Sequence, residues 1–315
     1  DAVGDRYTMF VEPLPATIME EDMQGSFEGI GATVNMVDGK LVIFKLLPGS
    51  PAKEVGLQPQ DIILEVDGQS LEGKTLLESI ALIRGPAGTV VRLLIQRKGV
   101  AAPFIVPVTR ARVESPIRET QLLDGNIAYV RLAEFNALSE KKLHDALGEL
   151  LSQDPTGLIF DLRSNPGGYL QMAIDVSGEF LPSGTLVTTE KRRDGVEVEY
   201  RVTNQGVARE IPLVVLINGG SASASEIVAG AIRDHERGIL IGEPSLGKGS
   251  VQNVHKLQDG SSLRVTTAKF YLPDGESPDG NPIQPTIQVS MTADDVEAGR
   301  DPQLDRAVAY FLNGE

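Results

Sequence analysis

A chain of 315 residues with 41% hydrophobic side chains has ample material for more than one core, so two domains are expected and disorder is excluded. Asp and Glu number 44 against 29 Lys and Arg, a net charge of −15, and the basic residues form no stripe, which argues against nucleic acid or an anionic membrane surface as partner. Cysteine is absent, removing disulfides and thiolate chemistry, and the three histidines, His144, His235 and His255, lack metal-ligand spacing, so no metal is expected.

The first 24 residues are acidic and helix-like near Thr17–Asp22, with no obvious core of their own, and read as a connecting arm (1–24). No apolar run approaches the roughly 20 residues of a membrane helix. The chain starts at Asp1 rather than Met, which leaves room for a removed targeting segment.

Between residues 25 and 112 the signals are short and regular. Strands are expected over 32–37 and 41–47 around an Asp38-Gly39 turn, then a helical turn opened by Ser50-Pro51 and closed by Gly56. A strand over 61–66, a helix over 75–83 and strands over 89–97 and 104–109 complete a compact β-rich module.

From residue 113 to the end the pattern becomes strand, helix, strand. Strands are expected over 127–132, 158–162, 213–217 and 239–242, with helices over 140–151 and 170–180, one from Ala224, and an amphipathic last helix over 303–312. That alternation implies an α/β layer architecture.

Two segments carry chemistry. The apolar strand Leu213–Ile217 runs into Asn218-Gly219-Gly220-Ser221-Ala222-Ser223-Ala224-Ser225-Glu226, a strand, glycine turn and helix start. A serine there is held exposed at the strand's end, where free helix N–H groups can stabilise an oxyanion. The same letters, Ser223 with Glu226 three residues on, also spell a capping box, and the segment alone supports both readings.

Twenty-five residues later, Gly242-Glu243-Pro244-Ser245-Leu246-Gly247-Lys248-Gly249-Ser250-Val251-Gln252 admits three chemistries. A phosphate loop fails because Gly249 stands where Ser or Thr is needed and a strand, not a helix, should follow. The Ser245-x-x-Lys248 pattern of penicillin-recognising enzymes needs a helix that the segment does not offer. The third reading makes Lys248 a general base, its pKa lowered by burial, with Gln252 on the same face of an extended chain as a neutral orienting partner. A solvated loop lysine is the ordinary alternative.

These stretches, with Asp161-Leu162-Arg163-Ser164-Asn165-Pro166-Gly167-Gly168 and Gly25-Ser26-Phe27-Glu28-Gly29-Ile30-Gly31, resemble the carboxy-terminal processing (tail-specific) proteases, serine peptidases with a Ser-Lys dyad. The resemblance covers nearly the whole chain; the tail Asn281-Pro282-Ile283-Gln284-Pro285-Thr286 departs from the family's usual pattern. It implies an α/β core of the ClpP/crotonase-like type (113–315) with an inserted or preceding small β-rich PDZ domain (25–112). It further implies Ser223 as nucleophile, Lys248 as base, Gln252 as its partner, and the N–H groups of Gly168 and Ala224 as the oxyanion hole. Asp234 matches a family position near the site and is carried as a supporting residue.

In the PDZ-like module, Gly29-Ile30-Gly31-Ala32 would bind a peptide carboxylate, with Leu76, Leu77 and Ile80 as pocket or core residues. Arg84, at the end of the module's helix, is a candidate docking sensor. The substrates implied are proteins with unstructured C-termini, without cofactor; a homo-oligomer is left open, and the resemblance places the enzyme outside the cytoplasm. Two other readings compete: a non-catalytic peptide-binding scaffold, and a hydrolase pairing Ser223 with His235, which a twelve-residue helical separation disfavours.

Overall fold

The computed structural model describes residues 4–114 and 119–314. The chain divides into two compact units, one formed by Asp1–Met9, Ile117–His255 and Leu263–Glu315, the other by Phe10–Pro116 and Lys256–Ser262.

The larger unit is built on a six-stranded sheet ordered Glu119–Leu123, Ile127–Arg131, Gly157–Asp161, Leu213–Ile217, Ile239–Gly242 and Ile287–Gln288. The first pair is antiparallel and the rest are parallel. Alternate residues of its strands divide between two apolar clusters, as expected of a sheet covered on both faces. Val130, Phe160, Leu213 and Val215 join one cluster with residues of the helices Ser139–Leu151, Leu170–Ser177 and Ala224–Asp234. Tyr129, Ile159, Val214 and Leu216 face the other, together with Ala307 and Phe311 of the helix Pro302–Asn313. A second sheet of this unit pairs Leu186–Arg192 antiparallel with Glu197–Arg201 and with Ser262–Tyr271.

The helix expected over 170–180 ends at Ser177, where Gly178 begins a turn. The parallel strands end in register, Asp161 beside Leu216 and Ile217 beside Gly242. Their three outgoing loops, residues 162–168, 218–223 and 243–249, therefore leave from the same carboxyl edge, where open α/β sheets place their sites.

In the smaller unit the strands Ala32–Val37, Lys40–Leu46, Ile62–Val66, Val90–Gln96 and Phe104–Thr109 form one antiparallel sheet with Ala32–Val37 at its edge. Thr75 and Glu78 close a capping box on the helix Leu76–Ile83. The stretch read as an arm is divided: Phe10–Met23 belongs to this unit, and its helix Pro13–Met23 buries Ile18. Arg84 holds that helix through Glu21 at 2.8 Å and Asp22 at 2.7 Å, and its guanidinium stacks 4.4 Å from the Phe27 ring centre. No helix among the described residues is long and apolar enough to cross a membrane.

Candidate active site

Ser223 stands at the tip of the loop joining the strand Leu213–Ile217 to the helix Ala224–Asp234, with φ 54° and ψ −114°. A non-glycine residue in that region is strained by about 1–3 kcal/mol and persists only where its surroundings over-determine it. Here they do. Asn218 Oδ1 accepts the N–H groups of Ser164 and Gly220 at 2.8 and 3.0 Å, and the Ser221 hydroxyl donates to Leu162 O at 2.8 Å. The Asn165 carbonyl accepts the Ala222 N–H at 3.0 Å and the Ser225 hydroxyl at 2.9 Å. The two loops are thereby stitched together.

The contacts between Ser223 and Glu226 show how the start of this helix is closed. Ser223 and Glu226 adopt the capping-box arrangement, with the Glu226 carboxylate on the Ser223 N–H at 2.8 Å. The Glu226 N–H faces the Ser223 hydroxyl without closing a hydrogen bond to it, so the bond that closes the box is the one from the Ser223 N–H to the Glu226 carboxylate.

Glu226 is completely buried, and sequence reasoning gave it only the capping duty. Its Oε1 accepts the Ser245 hydroxyl at 2.6 Å and the Gly247 N–H at 2.7 Å, while its Oε2 accepts the Lys248 N–H at 2.9 Å besides that of Ser223. Four donors saturate one buried carboxylate, which is how such a charge is tolerated away from water. Through it the backbones of Ser223 and Lys248 share a single frame. Ser245 thus has a packing role, its oxygen also accepting the Ile283 N–H at 2.8 Å, and the segment after Lys248 is the strand Ser250–Lys256, without the helix a phosphate loop requires.

Lys248 is half-buried, and its Nζ donates to Gln252 Oε1 at 3.3 Å. Burial, reinforced by the Arg264 charge and opposed by Glu226, holds its pKa below the ordinary lysine value. No hydrogen bond joins the Ser223 hydroxyl to Lys248 Nζ among the described residues. What ties the two segments is Glu226, which accepts the backbone N–H of both residues.

Ala224 follows Ser223 directly, and Gly168 lies on the neighbouring loop after Gly167. Ala224 opens the helix, where N–H groups have no intrahelical acceptor. Phe135 N–H donates to Gly167 O and Tyr169 N–H donates to Phe135 O, a parallel bridge that turns the Gly168 N–H away from Phe135. Gly167 was not singled out as a site residue, yet a Cβ there, at φ +99°, would lie 2.8 Å from Ser223 Cβ and 2.9 Å from Ala224 N. The signal was the first glycine of the pair Gly167-Gly168, which the sequence offers only as part of a turn.

Asp234 is not brought to the site. It ends the helix, about 16 Å along the axis from Ser223, and its carboxylate is occupied by Arg233 at 2.7 Å and the Asp274 N–H at 3.1 Å. His235 lies beyond it, its Nε2 2.7 Å from Leu186 O, so the histidine-based hydrolase has no geometry.

The nearest approach to a metal-ligand set among the described residues is Glu140, His144 and Glu179, whose ligand atoms lie within 4.8 Å of one another. The Glu179 carboxylate is already satisfied by His144 Nδ1 at 3.0 Å and the Val207 N–H at 3.1 Å.

In the smaller unit, Ile30 and Gly31 give their carbonyls to the N–H groups of Ala52 at 2.9 Å and Leu47 at 3.0 Å, holding the Gly29–Ala32 loop against its own module. Gly31 has φ +72°, and a Cβ on it would meet the Ser50 side chain at 2.5 Å. Of the helix residues expected at a pocket, Leu76 packs on the core, Ile80 is half-buried and Leu77 is exposed.

The chain is similar to known proteins along most of its length. A profile of peptidase family S41 matches residues 126–289, and a PDZ-domain profile matches residues 45–97. A carboxy-terminal-processing protease of Bartonella bacilliformis is 36% identical over 95% of this chain and 70% of its own length. The carboxy-terminal processing protease CtpA of Bacillus subtilis is 35% identical over 98% of this chain and 65% of its own length, so the chain spans about two thirds of such relatives. A solved photosystem II D1 C-terminal processing protease superposes with TM-score 0.56 at 29% identity, over 92% of this chain and 79% of that one.

Proposed function

The chain belongs to peptidase family S41, the carboxy-terminal processing proteases, and from that premise we propose that it cleaves protein substrates through a Ser223–Lys248 dyad after capturing their C-terminal tails on its PDZ module. The observation that carries the reading is Glu226: one buried carboxylate holds the backbone N–H of the strained Ser223 and of the pKa-lowered Lys248.

In this mechanism the neutral Lys248 amine takes the Ser223 proton, and Ser223 Oγ attacks the peptide carbonyl. The resulting oxyanion is received by the N–H groups of Ala224 and Gly168. The ammonium then protonates the departing amine, and water, deprotonated by the same lysine, releases the acyl group. Gln252, an amide, orients the amine without the rise in pKa a carboxylate would bring.

Tail capture is supported by the edge position of Ala32–Val37, which offers main-chain groups for an added strand directly after the Gly29–Ala32 loop. The substrates are accordingly proteins with accessible, unstructured C-termini, met outside the cytoplasm. A scaffold without catalysis is disfavoured because it gives no reason for the strained φ of 54° at Ser223.

The test follows cleavage of an unstructured protein with an apolar C-terminus by the parent chain, Ser223→Ala and Lys248→Ala. Both substitutions should reduce turnover by about 10³-fold or more, the scale at which members of a catalytic unit act together. Parent-like turnover in Lys248→Ala would overturn the dyad, and an inactive parent would favour the scaffold.

A further inference from the structure

The described N-terminal residues, Gly4–Thr8, carry a second set of contacts to the lysine. They pack as a strap against the larger unit, to which they belong. Asp5 accepts the N–H groups of Tyr7 at 3.2 Å and Thr8 at 2.9 Å, closing a tight turn, and the Thr8 hydroxyl accepts the Thr266 N–H at 3.1 Å, tying the turn to the strand Ser262–Tyr271. The strap presents Tyr7 twice to the site. The Tyr7 carbonyl accepts Gln252 Nε2, and the Tyr7 ring centre lies 5.3 Å from Lys248 Nζ, with the Arg6 guanidinium 5.7 Å from the same ring.

Hydrogen-bond chemistry gives the first contact a direction. A backbone carbonyl only accepts, so the amide of Gln252 must turn its NH₂ end to Tyr7; its oxygen is then the end that faces Lys248. An amide turned the other way would oppose N–H to ammonium. The carbonyl of Tyr7 therefore decides which atom of Gln252 the amine meets, across 245 residues of chain.

The second contact acts on water. Lys248 is only half-buried, and the groups around its amine among the described residues include Gln252 from the strand Ser250–Lys256, the charges of Arg264 from the strand Ser262–Tyr271 and Glu226 from the helix Ala224–Asp234, and the Tyr7 ring. A ring over the ammonium has two opposed effects. Its π face favours the charged form by about 0.5–1 kcal/mol at exposed sites, whereas the water it excludes favours the neutral form by more in a buried one.

We propose that Tyr7 is a positioning residue of the base, its carbonyl fixing the Gln252 amide and its ring shielding Lys248 from water, so that the N-terminal strap is part of the active site. This rests on the Ser223–Lys248 reading.

The experiment measures the pH dependence of kcat/KM for the full chain on the unstructured substrate. In Tyr7→Ala the acidic limb should move up by about one pH unit, with activity below it falling about tenfold, because water now reaches the ammonium. Tyr7→Phe keeps the ring and should bring the limb back, the main-chain carbonyl on Gln252 being present in all three variants. Tyr7→Leu covers the amine without a π face and should hold the limb at or slightly below the parent's. A purely structural role would lower the plateau in all three and leave the limb in place.

An unmoved limb in Tyr7→Ala overturns the proposal, and so does an upward shift in Tyr7→Leu. If Tyr7→Ala does not fold, the Leu and Phe profiles decide alone, since either limb rising by one pH unit contradicts shielding. Lys248→Ala is run in parallel. Should it remain active, the dyad itself has failed; should it be inactive while the Tyr7→Ala limb stays put, only the strap has.

Discussion

The two ends of the proposed dyad are held in different ways. Ser223 is placed by main chain: its own φ of 54°, the bonds from Asn218 and Asn165, and the clamp of Glu226 on its N–H. Lys248 has its N–H on the same carboxylate, but its amine reaches the site on a four-carbon stem and is governed by burial, one bond to Gln252 and the cover of Tyr7. The difference suits the tasks. A nucleophile must be where the carbonyl arrives, so position is what its turn protects; a base must be neutral at working pH, so environment is what surrounds it. Damage to the first should appear as lost turnover, and damage to the second as a displaced pH profile.

Gly167→Ala is the hardest blow to the positional half. The new Cβ would sit 2.7 Å from Ala222 O and 2.8 Å from Ser223 Cβ, against main chain that cannot swing aside. We expect kcat to fall about 10³-fold, as on loss of an oxyanion donor, with the acidic limb unmoved. Active-site titration reads the loss directly, and near-parent turnover would mean that the turn is softer than its bonds suggest.

Glu226→Gln comes next, because an amide can accept at only one end and meets N–H groups at both. At least one of the four donors on Glu226 is left facing another donor in a buried place, a cost of about 1–3 kcal/mol. Denaturant unfolding should register that loss, and kcat should fall about 10²-fold as Ser223 and Lys248 lose their common frame. A stable, active Glu226→Gln would show that each half is held independently.

How far these arrangements could be read from letters follows the same division. The strand Leu213–Ile217, the turn and the helix after it are local, and their apolar run, paired glycines and small residues announce them. Ser223 and Glu226 even spell the capping box that forms in part. The second duty of Glu226 reaches 19 to 22 residues away, and local pattern does not say which distant donors a buried carboxylate will collect.

The N-terminal region is the extreme case. Tyr7 meets Gln252 across 245 residues of chain, and the helix Pro13–Met23 finds its partner in Arg84, more than sixty residues on. An acidic helix with Ile18 as its buried residue looks coreless until that arginine is in place. Asp234 teaches the converse, since eleven residues of helix carry it to the far end by period alone, whatever a family pattern attaches to it.

The environmental half is probed most finely at Gln252, where the smallest change in turnover should accompany the clearest change in profile. Gln252→Glu keeps the length of the side chain and places a carboxylate where the amide oxygen stood 3.3 Å from Nζ. A nearby opposite charge favours the ammonium, so the Lys248 pKa should rise, by about one to three pH units. The base works only when neutral; its rate therefore grows as pH climbs through that pKa, and a higher pKa moves the acidic limb upward while the alkaline plateau stays near the parent's. Gln252→Ala removes the acceptor without adding charge and should cost less than tenfold in kcat/KM, the worth of roughly one hydrogen bond. A plateau that collapses in Gln252→Glu with no movement of the limb would place Gln252 with the positional half instead, beside Glu226, and the distinction between the two ends of the dyad would narrow to the strap alone.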